Sequence, residues 1–465
     1  VLLALMLAAC TMQAAPQIAT PIPDLPEGYF FHPTGEAGAQ LAALMPTQDP
    51  AYTALAKAAL ADAPSLAEAA ARIERARAGA RAAEAARLPN ITADASIRRN
   101  RINTAQFGAA GQQGFIPVEQ TSYGANLTAS WDPDIFGRLK AQQRAALARI
   151  DAASAEAQGL RIALLAEIAA SVIDWRTLDA RAAAISQDLA AAQTLATLAK
   201  VREDAGIAPG FDRVRAEATA SSSQLRLAAL ESERARLIGR LVTLTGQDAA
   251  SVRSALTAAA PEPLLAPAAA PASLPSDLLA NRPDVAAAAA ILAASDAGLA
   301  AAARARFPRI TLSGVIGLLA FDPADLFNDS IVGTLTAAVA GPLLDFGRVG
   351  AEIDAAAADK RAAFAAYRGA VFRALGDAEA AYGTIAAADA ESRLALDEHS
   401  QLTRAASLAE TRYKAGLASL VDVLEARRAA AGSGERAAAA MGRALRARVV
   451  LWQALGGDAP ATARK

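Results

Sequence analysis

Few residues in this chain have the type and spacing that chemistry needs. The 465-residue sequence holds one cysteine, Cys10, and two histidines, His32 and His399, in unrelated contexts. That inventory excludes disulfide frameworks and Cys/His zinc sites. The motifs GxxxxGK[ST], HExxH and GxSxG are absent. Gly108, Gly111 and Gly114 lie in a Gln/Gly-rich loop, without the strand-to-helix turn whose N–H groups would cradle a phosphate. No nucleophile, base and orienting group can be assembled, so no catalytic residue, cofactor or metal site is assigned. What remains is the chemistry of helix ends. Ser419-x-x-Asp422 has the spacing of a capping-box variant, with Asp422 where the helix dipole favours an acid. Gly206 and Gly416 follow Arg202 and Arg412 by four residues, as expected of glycines that supply positive φ at a helix C-terminus. Asp132, Asp134 and Arg138 flank Pro133 and organise a strand-to-helix junction rather than a reactive centre.

These helix ends need long helices to carry them. Hydrophobic residues make up 54% of the chain and aromatics only 5%, with alanine filling the difference. Alanine favours helix and adds little bulk, which points to closely packed long helices. A net charge of −1 offers no basic field for nucleic acid. Residues 134–208, 210–260 and 343–459 contain no proline. In the first of these, Leu164, Ile168, Val172, Trp175, Leu178, Ile185 and Leu189 follow the helical period. One helix from Arg138 to Lys200 would be roughly 95 Å long. The last stretch must fold back, and Lys414–Ser419 is its turn.

The chain also repeats. Phe136-Gly137-Arg138 recurs as Phe346-Gly347-Arg348, and at the same offset Arg202, Gly206 and Asp212 recur as Arg412, Gly416 and Asp422. The expected organisation is a leader over 1–10, an extended segment over 11–50, repeat one over 51–260, a Pro/Ala linker over 261–275, repeat two over 276–457 and a tail over 458–465. Each repeat opens with a helix. Repeat one then has strands at about 90–101 and 121–131, a long helix at about 137–200 and a return helix at about 212–247. Repeat two has strands at about 309–319 and 331–341, and helices at about 347–412 and 420–455.

The strands alternate. Ile91, Ala93, Ala95 and Ile97 oppose Thr92, Asp94, Ser96 and Arg98, and Tyr123 to Trp131 alternates likewise. Such a period over about ten residues suits a membrane β-strand with one face to lipid and one to a lumen. Four strands cannot close a barrel, and an open edge in lipid leaves unpaired backbone groups, so several chains must pool their strands. A soluble hairpin is the alternative reading of the same pattern. Arg98, Arg99 and Arg101, near the loop end of the first strand, are expected at a solvated loop mouth, with lining of the lumen or contact with lipopolysaccharide phosphates as the alternative. The span 285–303 is mostly alanine and carries Asp296, which argues against a transmembrane helix. Leu7-Ala8-Ala9-Cys10 closes an apolar run and resembles the bacterial lipobox, which would make Cys10 an acylated N-terminus.

Read together, Trp131-Asp132-Pro133-Asp134-Ile135-Phe136-Gly137-Arg138, Gly341-Pro342-Leu343-Leu344-Asp345-Phe346-Gly347-Arg348, Leu274-Pro275-Ser276-Asp277 with Arg282-Pro283-Asp284, Arg412-Tyr413-Lys414-Ala415-Gly416 and Ala454-Leu455-Gly456-Gly457 resemble the TolC-type outer-membrane efflux family, in its NodT-type lipoprotein branch. The resemblance runs from about Asp49 to Gly457. It implies a mainly α fold with transmembrane β-structure, in which three chains form a 12-stranded outer-membrane barrel continued by a helical periplasmic tunnel. The implied partners are a periplasmic adaptor and an inner-membrane pump of the resistance–nodulation–division class, with outer-membrane lipid around the barrel and at acylated Cys10. The chain would be a passive exit duct for drugs or other small toxic compounds, not an enzyme. A duct for type I secretion or metal efflux shares the fold, and a poreless spacer lipoprotein is the rival of another class. The resemblance further implies that the hairpins after Gly206 and Gly416 are the periplasmic tips, offered to the adaptor. It places Asp422, Glu425 and Asp212 around the aperture, with Arg412 and Arg202 near enough to latch them. Trp131, Pro133, Gly137, Arg138, Pro342, Gly347 and Arg348 mark the two strand-to-helix junctions. A lumen lined with Ser, Thr, Asn and Ala would select its cargo only coarsely.

Overall fold

The computed structural model describes residues 16–31, 41–101, 119–258, 264, 267–271, 275–325 and 330–457. The leader with Cys10, as well as His32, the Gly108–Gly114 loop and the tail, lie outside these residues, and the linker is described only in part.

Local signals set the helix starts and stops. Asp49 accepts the Ala51 N–H at 2.8 Å and starts α1 (Pro50–Asp62), with proline in the first turn, where no N–H partner is needed. α2 (Pro64–Ala85) leads into β1 (Asn90–Arg101) and β2 (Glu119–Trp131). α3 (Arg138–Asp204) runs unbroken for 67 residues, about 100 Å at 1.5 Å per residue. It passes Lys200 because nothing stops it before Gly206, whose φ is +71°. α4 (Gly210–Thr245) ends at Gly246, also left-handed, and α5 (Ala249–Thr257) starts on Asp248. After α6 (Asp277–Asn281), α7 (Pro283–Arg304), β3 (Arg309–Ala320) and β4 (Ile331–Ala340) comes α8 (Arg348–Lys414), again 67 residues, and then α9 (Leu420–Ala454). By length and composition α7 could cross a membrane. In its place it packs Leu299 against Val349 and Ile353 of α8, and its Asp296 accepts from Lys360 Nζ at 2.5 Å.

The four strands form one antiparallel sheet in the order β1-β2-β3-β4. Its register keeps like with like. Ile91 faces Ala129 and Ala93 faces Leu127; Leu127 in turn faces Ile316, and Leu312 faces Ala337. On the other side Thr92 faces Thr128 and Asp94 faces Asn126, whose Nδ2 donates to Asp94 at 3.2 Å. A one-residue slip would mix the two faces. Gly317 sits opposite Asn126, where a Cβ would come within 2.6 Å of the Ala125 carbonyl, so the strands approach closely only because that side chain is missing.

The chain divides into two compact units. One contains Ile73–Ala152 and Ala289–Ala366, and so the sheet; the other contains Ile22–Arg72, Ala153–Ala288 and Tyr367–Lys465. In the second, Ile168, Val172, Leu241, Leu256, Val371, Tyr382 and Leu451 form the centre of the main core with buried alanines such as Ala374 and Ala378. That alanine-rich interface is what the composition foreshadowed: short side chains let long helices lie close together.

Candidate functional site

The two hairpin tips belong to the second unit. Both stop their outgoing helix in the same way. Ile207 N–H reaches back to the Arg202 carbonyl at 2.9 Å and Leu417 N–H to the Arg412 carbonyl at 2.8 Å, while Gly206 and Gly416 adopt φ of +71° and +76°. This is the Schellman closure of a helix C-terminus, and it accounts for the recurring glycines. Arginine there also suits the negative end of the helix dipole.

The returning helices start differently. At the second tip the Ser419 hydroxyl accepts the Asp422 N–H at 3.2 Å while Asp422 accepts the Ser419 N–H at 2.9 Å, a complete capping box. The Ser419 hydroxyl and N–H, then the Arg412 charge, hold the Asp422 carboxyl below its ordinary range. Pro209, at the same position of the first tip, gives no side-chain cap. Around Ser419 the Tyr413, Leu420, Val423 and Leu424 side chains pack with Leu195 and Ala199 of α3 in a buried cluster. The corresponding residues of the first tip are Glu203, Gly210, Arg213 and Val214, the last of them exposed. There a half-buried Arg213 bridges the half-buried Glu203 at 2.8 Å and the exposed Glu217 at 2.9 Å. A Cβ on Gly210 would meet the Glu203 carboxylate at 2.5 Å, so glycine makes room for the ion pair.

Arg202 pairs with no carboxylate among the described residues; its guanidinium lies 5.0 Å over the Tyr413 ring. Arg412 and Glu425 are exposed, Asp212 is half-buried in the first turn of α4, and none of the three makes an ion pair with a described residue. Among the described residues of one chain, neither arginine makes an ion pair, although the Arg412 charge acts on Asp422. Beside them Glu410 binds Lys414 at 2.9 Å and also Arg427, cations that hold its carboxyl low, Lys414 foremost.

The strand-to-helix junctions lie in the first unit. Trp131 Nε1 donates to the Arg87 carbonyl at 2.9 Å, and Phe136 stacks on Phe307 at 5.0 Å. After Pro133, Asp134 takes φ of 52° and its carboxylate accepts the Leu139 and Lys140 N–H groups at 2.9 and 2.7 Å. Arg138 reaches back to Asp132 at 3.4 Å. In the second junction, after Pro342, the cap moves one position along the repeat. Asp345 accepts from Gly347 and Val349 at 3.1 and 2.9 Å, bonds that hold its carboxyl low, the Val349 N–H foremost. Here the positive φ falls on Phe346 and Gly347. Arg348 pairs along its own helix with Glu352 at 2.6 Å. At the loop end of β1, Arg99 and Arg101 both meet Glu119, at 2.5 and 3.5 Å. His399 Nδ1 lies 3.1 Å from the Ser433 hydroxyl, a packing contact between helices. Among the described residues no group of acids, His and Cys is set to hold a metal.

One feature of the second unit escaped the sequence reading. Arg181, Arg236, Arg240, Arg443 and Arg446 come from three helices to one cleft. Arg236 with Arg240 and Arg443 with Arg446, four and three residues apart on helices, were the available signal.

A four-stranded sheet with an exposed apolar face, joined to two helices of about 100 Å, defines a wall subunit of an outer-membrane efflux channel. The profile of the family described as outer membrane efflux protein matches residues 55–247 and 274–457, and the chain belongs to that family. It is 30% identical over 409 residues to the pyoverdine export outer membrane protein OpmQ of Pseudomonas aeruginosa, covering 88% of this chain and 85% of that one. To nodulation protein T of Rhizobium leguminosarum bv. trifolii it is 28% identical, over 82% of this chain and 80% of the relative. The solved structure of the outer-membrane channel OprN superposes with a TM-score of 0.84 at 26% identity, covering 95% of this chain and 98% of that one.

Proposed function

We propose that three copies of this chain close a 12-stranded barrel in the outer membrane and continue as a helical duct through the periplasm. The duct passively carries drugs or other small toxic compounds from an inner-membrane pump of the resistance–nodulation–division class, joined through a periplasmic adaptor. The observation that carries this reading is the sheet. Ile91, Ile97, Ile316, Ile331, Leu335 and Val339 expose well over half their surface on one face, which suits lipid and not water. β1 and β4 are its open edges, and in hydrocarbon each unpaired backbone group costs several kcal/mol. Pairing β1 of one copy with β4 of the next removes both edges, and three such pairings close a ring.

In this reading Cys10 is the acylated N-terminus, repeat one covers 51–260, the linker 261–275 and repeat two 276–457. Gly206 and Gly416 present the tips to the adaptor. Asp422, Glu425 and Asp212 ring the aperture in three copies, and the unpaired Arg412, with Arg202, lies within reach of a neighbour's carboxylates. The chain has no catalytic role; the pump supplies the energy. The relative OpmQ is named for pyoverdine export, which accords with an export duct.

Cysteine pairs test the ring. Single cysteines introduced along β1 at Thr92 or Ser96, combined with Thr334→Cys or Thr336→Cys on β4, are joined with a short cross-linker in outer-membrane fractions. A covalent ladder that stops at three chains is expected; one that stops at two or runs past three contradicts the ring.

A further inference from the structure

The helices α3, α4 and α9 have two unlike faces in the second unit. One face is covered. Arg176 of α3 donates to Asp49 at 2.8 and 3.1 Å and to the Leu256 carbonyl at 3.1 Å. Arg448 of α9 donates to the Ala268 carbonyl at 2.9 Å and pairs with Asp389. Arg234 and Ile238 of α4 turn toward Arg253 and Leu256 of α5. The opposite faces, roughly half a turn away at 3.6 residues per turn, line one cleft of about 470 Å³. A second layer of helices has room only on the outer side of a tunnel wall. Given the duct reading, on which this inference rests, the cleft therefore opens to the lumen.

Among the described residues that line the cleft are five arginines and two acids, Asp174 and Glu233, and Arg181 also lies 3.9 Å from Glu435. Arg446 holds Asp174 through Nη1, at 2.8 and 3.0 Å, and its Nε and Nη2 have no hydrogen-bond partner among the described residues. Arg181 donates to Glu233 at 3.2 Å, Arg443 to Glu391 at 2.6 and 3.1 Å, and Arg240 pairs with Glu167. Arg236 is exposed and has no ion pair with a described residue. Burial, more than the Arg446 charge can offset, pushes the Asp174 carboxyl above its ordinary range, so this acid is neutralised early on acidification. The walls reduce solvent screening, and planar forks match carboxylates two bonds at a time.

We propose that this cleft is a lumenal binding site for small organic anions carrying two or more carboxylates, one site per chain and three around the duct. Citrate is the probe. The full chain in detergent is dialysed to equilibrium against labelled citrate, as native protein, as Arg236→Gln/Arg443→Gln, and as Arg253→Gln on the covered side. Native protein and Arg253→Gln should bind one citrate per chain with the same affinity, and the double variant about tenfold more weakly. In a planar bilayer the double variant should need correspondingly more citrate to reduce the current. Equal citrate binding by all three proteins, or none by any, overturns the site whether or not current flows. Absence of current from native protein that still binds citrate in the expected order overturns the duct and leaves the site.

Discussion

At equivalent positions of its two hairpin tips the molecule places Glu203, Gly210 and Arg213 in one and Tyr413, Leu420 and Val423 in the other. The helix stop is common to both: an arginine carbonyl, a left-handed glycine and the same backbone hydrogen bond. What holds the returning helix is not. The second tip uses a buried cluster and a capping box, the first a partly exposed ion pair and no side-chain cap. Duplication has preserved the backbone device, which favours glycine at positive φ, and has let the side-chain device diverge. Apolar burial resists both salt and water, whereas an exposed ion pair contributes about 1 kcal/mol or less. The first tip is therefore the softer one.

The sharpest way to break this comparison is to charge the same position in both tips. Val423→Asp buries a carboxylate in the apolar cluster and should cost more than about 3 kcal/mol of local stability. Arg213→Asp should cost about 1 kcal/mol or less. Amide hydrogen exchange over 203–217 and 413–427 reads both, and equal losses would refute the contrast. The shared device predicts equality instead: Gly206→Ala and Gly416→Ala should each cost about 1–2 kcal/mol, since the strain of positive φ is the same in both.

Caps give a smaller effect. Ser419→Ala should destabilise the start of α9 by about 1 kcal/mol, and Pro209→Ser should stabilise the start of α4 by up to about that much. The Asp422 half of the box has a pH signature. Its carboxyl is held low in the folded tip, so its contribution is complete above the ordinary carboxylate range and is lost as pH falls through the depressed value. Hydrogen exchange at Ser419 and Asp422 should quicken only at strongly acidic pH, relative to an Asp422→Asn reference. Salt gives the smallest effect. Raising it from about 0.05 to 1 M should loosen the first tip by roughly 0.5 kcal/mol and leave the second unchanged.

Much of the fold was legible because its signals are local. Alternation from Ile91 to Ile97 marks a strand, absence of proline marks α3 and α8, and Gly206 and Gly416 mark their ends. Ser419-x-x-Asp422 carried the capping box in its spacing alone. Other features depend on which helix lies beside which, and the sequence does not carry that. Arg202 looked like a partner for acids, but Tyr413 from α8 comes beneath it. The second junction moved its capping carboxylate from the position of Asp134 to Asp345, because a leucine stands at the first position in repeat two. The arginine cleft draws on three helices far apart in sequence, so no single stretch displays it.

Single-channel conductance of the purified full chain in a planar bilayer tests the central claim most directly, because only a closed pore conducts ions. Discrete, stable openings are predicted, small in the native protein and larger in Val423→Asp, whose tip is unfastened. Folded, inserted protein that passes no current in either form would contradict the duct.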